Sequence, residues 1–291
     1  MFEKYLGNEK IKEIFTHTIE TQNILHSYLL VGIEGIGKKL FAQEFAKKIL
    51  CLESSTKEDS CKSCIEFANH NHPDFMIIEP EEGKAIKIEQ IRFMQQKILE
   101  KPIISTKKVY ILNDCEKMTK EAQNCLLKTL EEPPEYAVLL LITSNENKIL
   151  NTIKSRCVKI AFQPINEETI QKWLGETQIT TMIKACEGSM GKLMKIKEEQ
   201  EIYQQVEEMI SHIKEQNLLQ TWKQAEILYK QKDNIQDILN YMNQVLMQQK
   251  QIPYIHCISD VENTKRKILA NNNYEMSIDN LIMQMWEKIH K

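Results

Sequence analysis

Over residues 1–165, short apolar runs alternate with segments in which apolar residues recur at helical spacing. The runs are rich in Val, Ile and Leu, and they are as continuous as strands that are covered on both faces of a parallel sheet. Strands that alternate with amphipathic helices predict a doubly wound α/β domain. We predict strands at 28–31, 75–79, 109–112, 138–143 and 158–162, and helices at 1–25, 88–100 and 120–130, with a further helix that ends near residue 52.

The pattern changes after Pro164, and from residue 166 to the end it predicts helices and no strand. Residues 166–202 have short helical patterns, whereas long amphipathic helices rich in Gln, Lys, Glu, Met and Leu follow. We therefore predict an α/β domain over 1–165, a small helical domain over 166–202 and an all-helical domain over 203–291.

The segment GIEGIGKK, residues 32–39, lies between the first predicted strand and a helical pattern. Strand, glycine turn and helix form the context of a phosphate-binding loop of the pattern G-x-x-x-x-G-K-[ST]. Gly32, Gly35 and Gly37 would let backbone N–H groups approach a phosphate, and Lys38 would add a full positive charge to the helix start. The alternative is an ordinary glycine turn with solvated lysines.

Two positions that normally hold magnesium depart from this pattern. Lys39 stands where the motif has a Ser or Thr hydroxyl, and an ammonium group repels a metal ion. Asn113 and Asp114 follow the strand at 109–112, where nucleotide hydrolases place acids that hold Mg²⁺ and polarise water. We predict a phosphate-loop fold that has lost its magnesium site. The alternative for Asp114 is a helix N-cap or an ordinary residue at a strand end.

Three cysteines indicate a metal site. Cys61 and Cys64 have the C-x-x-C spacing of zinc sites, and Cys51 supplies a third thiol from the end of the preceding helix. A structural zinc site needs four ligands, and the alternative is a remnant with three free thiols. The candidates for the fourth ligand are Glu58, Asp59, His70 and His72.

Composition narrows the class of protein. A net charge of −3 over 291 residues argues against a protein that coats nucleic acid by itself. The charged N-terminal segment predicts no signal peptide, and no apolar run approaches the roughly 18 residues of a membrane span. Eight cysteines without a signal peptide point to reduced thiols or a metal site rather than disulfides. We expect a cytoplasmic protein with no membrane contact.

The tripeptide Ser155-Arg156-Cys157 lies between a loop and the last predicted strand. A guanidinium at such a rim can cross a subunit boundary and reach the γ-phosphate of a neighbour. An arginine that is delivered in trans contributes roughly 10³–10⁵-fold in rate. The alternative is a solvated surface arginine.

Taken together, these residues resemble the clamp-loader AAA+ subunits of bacterial DNA polymerase III, and among them the delta-prime type. The order and spacing match across about residues 1–165, and LLKTLEEPP followed by SRC is the most specific part. The matching segments are HSYLLVGIEGIGK (26–38), Cys51 with CKSC (61–64), HPDF (72–75), IEQIR (88–92), KVYILND (108–114), EAQNCLLKTLEEPP (121–134) and TIKSRC (152–157).

The resemblance implies an AAA+ P-loop domain, a small helical lid over 166–202 and a C-terminal collar over 203–291. It implies membership of a hetero-pentamer with gamma/tau and delta subunits, within the DNA polymerase III holoenzyme. Such an assembly binds ATP at subunit boundaries, opens the sliding clamp and loads it on primed DNA. The charge distribution suggests that contact of this chain with DNA is indirect.

The resemblance also implies roles for single residues. Arg156, with Ser155, would complete the site of the adjacent gamma/tau subunit, while the chain itself would be inactive as an ATPase. Zinc would be held by Cys51, Cys61 and Cys64, with the family's fourth position at Glu58. The candidate nucleotide-binding residues are Gly32, Gly35, Gly37, Lys38, Lys39, Asp114 and, at the first sensor, Thr143.

Two other functions remain open at this point. An active gamma/tau-like ATPase that tolerates Lys39 would turn over ATP in a Lys38-dependent way. A free-standing P-loop kinase or transferase would need an acid or base cluster in the C-terminal part, and the sequence indicates none there.

Overall fold

The computed structural model describes residues 2, 5–53, 61–81, 84–177 and 180–291. These residues form two compact units, Met1–Ile165 and Asn166–Lys291. Each unit is described by itself below.

The first unit is built on a five-stranded parallel sheet in the order β2-β3-β4-β1-β5. The two strands β3 and β4 are buried along their whole length, whereas the edge strand β5 is largely exposed. The predicted doubly wound sheet is therefore confirmed. The strands are β1 (Ser27–Val31), β2 (Phe75–Ile78), β3 (Lys108–Leu112), β4 (Ala137–Thr143) and β5 (Val158–Ala161).

In the described part of the first unit, six α-helices connect and cover these strands, and three of them differ from the prediction. One of the three, Asn151–Lys154, lies where the sequence predicts a loop. The helix predicted over 1–25 covers only Glu9–Glu20. Asn8 before it has a left-handed φ of 55°, which an α-helix does not allow. A short helix was not predicted within the polar segment 53–72, because only Ser63 and Cys64 face its core. The helices are α1 (Glu9–Glu20), α2 (Lys38–Leu50), α3 (Lys62–Ala68), α4 (Ile88–Leu99), α5 (Lys120–Glu131) and α6 (Asn151–Lys154).

Aromatic packing fixes the glycine loop against α1 and α2. The ring of Phe15 packs edge-on against Phe41 and Phe45 of α2, with ring centres 5.1 and 4.5 Å apart. The hydroxyl of Tyr5 donates a hydrogen bond of 2.8 Å to the carbonyl of Ile36 in the loop. A Cβ at position 37 would lie 2.7 Å from the Tyr5 ring, and φ there is +96°, so this position requires glycine.

The second unit consists of helices, and the described residues 166–177 and 180–291 contain no strand. The short helix α8 (Thr181–Ala185) packs against the long helix α12 (Ile235–Gln248), so short and long helices share one core. The predicted boundary near 203 stays a prediction. In the described ranges, no helix is both long and apolar enough to cross a membrane. The helices are α7 (Glu167–Leu174), α8 (Thr181–Ala185), α9 (Met190–Glu198), α10 (Gln200–His212), α11 (Leu218–Lys230), α12 (Ile235–Gln248), α13 (Ile252–Leu269) and α14 (Tyr274–His290).

Candidate functional site

The side chain of Lys38 folds back onto the backbone of the glycine loop. Lys38, the first residue of α2, is only 6% exposed. Its Nζ donates hydrogen bonds of 2.7 and 2.8 Å to the carbonyls of Gly32 and Ile33. Burial lowers the pKa of Lys38, although nearby carboxylates, of which Glu116 contributes most, oppose the shift. The ammonium that would meet a phosphate therefore bonds the loop backbone in this structure.

Lys39 forms an ion pair at the position where a phosphate loop holds its metal. Its Nζ lies 2.6 Å from Oε2 of Glu79, which directly follows β2. Both side chains are roughly half exposed. A carboxylate that ends a strand beside the loop could serve a metal ion, but here an ammonium group of the same chain already neutralises it.

Asp114 is also paired within the chain. It follows Asn113 at the end of β3 with a left-handed φ of 53°, and its side chain makes no capping hydrogen bond to the short 3₁₀ turn Cys115–Lys117. Its carboxylate lies 3.0 Å from Nζ of Lys117, and this hydrogen bond raises the pKa of Lys117. Asp114 therefore occupies the N-cap position of this turn at the strand end, as the alternative describes, but its side chain pairs with Lys117 instead of capping the backbone.

Thr143 ends β4 next to the glycine loop, because it pairs in register with Val31 of β1. The Thr143 side chain is buried, and its Oγ1 accepts a hydrogen bond of 3.0 Å from the backbone N–H of Asn145. Ser144 bonds Glu116 through both its hydroxyl and its backbone N–H, the latter at 3.1 Å. Burial alone would raise the pKa of Glu116, but these hydrogen bonds outweigh it and the net direction is downward.

Arg156 lies near the amino-terminal ends of the strands, whereas the glycine loop lies at their carboxyl-terminal ends. Its carbonyl accepts a hydrogen bond of 2.7 Å from Oγ of Ser27, the first residue of β1, whereas the loop follows the last. The five residues of β1, at a rise of ~3.3 Å each, separate these two ends of the strand by roughly 15 Å. The Arg156 guanidinium contacts Glu131 at 2.7 Å and the Thr152 carbonyl at 2.9 Å, and the Ser155 hydroxyl donates to that same carbonyl at 3.1 Å.

The three predicted cysteines converge. Cys51 directly follows α2, Cys61 precedes α3 and Cys64 lies in the first turn of α3. The Sγ of Cys51 lies 3.9 Å from that of Cys61 and 3.6 Å from that of Cys64. Thiolates bound to one zinc ion at ~2.3 Å in a tetrahedron are about 3.8 Å apart. The cluster could therefore hold a metal ion.

Histidine does not complete this cluster in the described residues. The Nδ1 of His72 accepts a hydrogen bond of 3.0 Å from the backbone N–H of Asp74, so Nε2 carries the proton and bonds Oγ of Ser63 at 2.9 Å. Burial lowers the pKa of His72, which favours this neutral form. Among the described residues, the cluster that could hold a metal ion consists of the three cysteines alone, and His70 does not belong to it. Glu58 and Asp59 lie outside the described residues.

A comparison with protein-family models shows to which family the chain belongs. The family model described as "DNA polymerase III, delta subunit" matches residues 7–166, which is more than half of the chain. The chain belongs to the DNA polymerase III delta-subunit family. The glycine loop, the Asn113-Asp114 strand end, the cysteine cluster and Arg156 all fall inside the matched residues.

Curated relatives agree with this family. The chain is 35% identical over 172 residues to the delta-prime subunit of Bacillus subtilis, covering 59% of this chain and 52% of that protein. It is 38% identical over 152 residues to that of Pseudomonas aeruginosa, covering 51% and 46%. It is also 32% identical over 193 residues to the gamma/tau subunit of Mycoplasma pneumoniae, covering 66% and 28%. The chain spans about half the length of the delta-prime relatives, and the resemblance to delta-prime is confirmed.

A solved structure supports the fold. A gamma subunit-related protein of DNA polymerase III from Thermotoga maritima superposes with a TM-score of 0.53 at 18% identity, covering 95% of this chain and 99% of that one. Identity at this level is evidence for the fold alone. The predicted AAA+ fold followed by an all-helical region is confirmed for this family member, and the lid stays a prediction.

The structure adds partners that sequence reasoning missed. Glu79 pairs with Lys39, Lys117 with Asp114, and Glu131 with Arg156. A signal existed for Glu79, because the carboxyl ends of parallel strands meet at one edge of the sheet. The acid that follows β2 could therefore be expected at the same end of the sheet as the glycine loop, although β3 and β4 lie between β2 and β1. Glu131 had no such signal, because it ends a helix rather than a strand and its place beside Arg156 depends on how α5 packs.

Proposed function

We propose that this clamp-loader-family AAA+ subunit acts as a delta-prime-like stator that does not hydrolyse ATP and that supplies Arg156 in trans to a neighbouring gamma/tau subunit. The observation that carries the proposal is the Lys39–Glu79 ion pair at 2.6 Å. A positive charge of the chain takes the place that a metal ion would need beside the loop. Without Mg²⁺, the site lacks the ion that bridges the β- and γ-phosphate oxygens and neutralises the charge that develops on the transferred phosphoryl group.

The position of Arg156 supports its action on another subunit. It lies at the amino-terminal end of β1, while the chain's own glycine loop lies at the carboxyl-terminal end of that strand. An arginine finger must reach the γ-phosphate, so this one is of use only to a site that a neighbour presents.

We extend the proposal to partners and location. The assembly would be a hetero-pentamer with gamma/tau and delta subunits, a component of the DNA polymerase III holoenzyme in the cytoplasm. It would act on the sliding clamp, and this chain would meet primed DNA only indirectly. Residues 166–202 would form the lid and 203–291 the collar that holds the subunits together.

A second candidate is an active gamma/tau-like ATPase. Gly32, Gly35, Gly37 and Lys38 are all present in a closed loop, and this observation favours retained phosphate binding. The loop would then have to open, and Lys38 would have to leave two carbonyl partners for the phosphate. Magnesium would have to displace the Lys39 ammonium from Glu79.

Replacing Lys39 with threonine is expected to restore a magnesium-dependent component of nucleotide binding. The variant gains the hydroxyl that the motif requires and frees Glu79. In a titration with a fluorescent ATP analogue, Mg²⁺ should tighten binding about tenfold or more in Lys39→Thr, which corresponds to about 1.4 kcal/mol, and have little effect on the unchanged protein.

Lys48→Thr, in the last turn of the same helix, is the control and should behave like the unchanged protein. Magnesium-dependent binding of equal strength in all three proteins would contradict the role that we give to the Lys39–Glu79 pair and would favour the active ATPase.

We also propose that the cluster of Cys51, Cys61 and Cys64 binds zinc. Protein prepared without chelators is expected to contain about one zinc ion per chain, because three thiols already have the spacing of zinc ligands. Cys51→Ser should lose this metal, while Cys125→Ser, outside the cluster, should keep it. A zinc content near zero in the unchanged protein would reduce the cluster to three free thiols.

A further inference from the structure

The last turn of α5 brings an acid against the arginine that we assign to the neighbouring site. Oε1 of Glu131 lies 2.7 Å from Nη2 of Arg156, and the two side chains are 50% and 34% exposed. The helix stops at Glu131, because Pro133 and Pro134 follow and exclude a helical continuation. The helix end therefore fixes where this carboxylate lies.

Arg156 is held by its main chain as well as by its side chain. Its backbone N–H donates to the carbonyl of Ile153 at 3.0 Å, and its carbonyl accepts from Oγ of Ser27 at 2.7 Å. Nη1 contacts the carbonyl of Thr152 at 2.9 Å and Oγ of Ser155 at 3.5 Å. A guanidinium has five N–H donors, and the contacts seen within the described chain engage at most three of them. A phosphate can therefore bind the guanidinium while Glu131 keeps its contact.

We propose that Glu131 is a positioning residue, which holds the Arg156 guanidinium in the orientation that meets the neighbour's γ-phosphate. The inference rests on the proposed role of Arg156 in trans. An arginine side chain loses much rotamer freedom when it binds a ligand, and a partner that fixes it beforehand reduces that loss at the moment of reaction. Such positioning acts on the rate of the chemical step rather than on the affinity for ATP.

A purely structural role would have a different signature. Half-exposed ion pairs contribute little to folding stability, so loss of the Glu131 charge should leave the chain folded. The adjacent Glu132 provides a matched control. It is also exposed, and its backbone N–H donates a hydrogen bond of 3.2 Å to the carbonyl of Lys128.

The test uses the full assembly, reconstituted with its gamma/tau and delta subunits, and compares Glu131→Gln, Glu132→Gln, Arg156→Ala and the double variant Glu131→Gln/Arg156→Ala. Glu131→Gln is expected to lower kcat for ATP at the affected site about two- to fivefold with KM unchanged, as removal of one half-exposed ion pair implies. Glu132→Gln should match the unchanged protein. The double variant should match Arg156→Ala alone, because Glu131 acts only through that arginine.

Each other result overturns the inference. If Arg156→Ala lowers the rate but Glu131→Gln does not, Glu131 has no positioning role and the trans role of Arg156 stands. If Glu131→Gln lowers the rate further in the Arg156→Ala background, or if Glu132→Gln has the same effect, the acid acts through the fold. If Arg156→Ala itself has no effect, both proposals fail.

Discussion

Arg156→Ala is expected to slow ATP hydrolysis by about 10³–10⁵-fold at the neighbouring site that this chain completes. The guanidinium stabilises charge that develops on the transferred phosphoryl group, and the alanine side chain cannot. Sites elsewhere in the assembly do not face this chain and should keep their activity. Single-turnover hydrolysis of ATP labelled at the γ-phosphate, in an assembly with its partner subunits, would resolve the slow site from the others.

The control for this experiment is Arg92→Ala, which removes an exposed arginine from α4. It changes net charge equally but leaves the rim of β5 intact, so all sites should react as in the unchanged assembly. Equal rates at every site with Arg156→Ala, in an assembly that still forms, would contradict delivery of this arginine in trans.

Asp74→Ala is expected to destabilise the first unit by about 3 kcal/mol or more, because it removes the acceptor of three backbone donors and each buried donor left unsatisfied costs about 1–3 kcal/mol. The Asp74 side chain is 1% exposed, and its carboxylate accepts backbone hydrogen bonds of 2.8, 2.8 and 2.9 Å from residues 103, 104 and 105. Truncation leaves these donors without their charged partner. Amide hydrogen exchange of the buried strand β3, followed by mass spectrometry, would report the loss.

The chain contains its own reference for this measurement. Its three tryptophans, Trp173, Trp222 and Trp286, all belong to the second unit. The urea midpoint followed by tryptophan fluorescence should therefore stay unchanged in Asp74→Ala. Glu13→Ala, at an exposed position of α1, should alter neither signal. Exchange in β3 at the rate of the unchanged protein would show that the Asp74 network does not support the sheet.

The sheet and the glycine loop could be predicted because their signals are local. Strands β3 and β4 are buried on both faces, and apart from Lys108 and Thr143 at their ends they form continuous apolar runs in the sequence. The turn at 32–37 needs glycine where φ is positive, as at Gly37, so the glycine in the sequence indicates the turn. Helix α3 escaped prediction because its seven residues contain too little apolar periodicity to detect.

The electrostatic contacts of the site could be predicted only in part, because they join distant segments. Lys39 was recognised as a departure from the motif, but its partner Glu79 lies forty residues away along the chain. His72 was a reasonable zinc ligand by position, yet its hydrogen bonds with Asp74 and Ser63 depend on how α3 packs. Side-chain partners of this kind follow from the tertiary fold, which no local pattern encodes.

Binding and turnover of Mg·ATP by the isolated chain test the central claim most directly. The account predicts that the purified protein, without any partner subunit, hydrolyses ATP no faster than its Lys38→Ala variant. It also predicts that Mg²⁺ does not tighten nucleotide binding, because Lys39 already neutralises Glu79. Tight binding of Mg·ATP with steady turnover that Lys38→Ala abolishes would contradict the account.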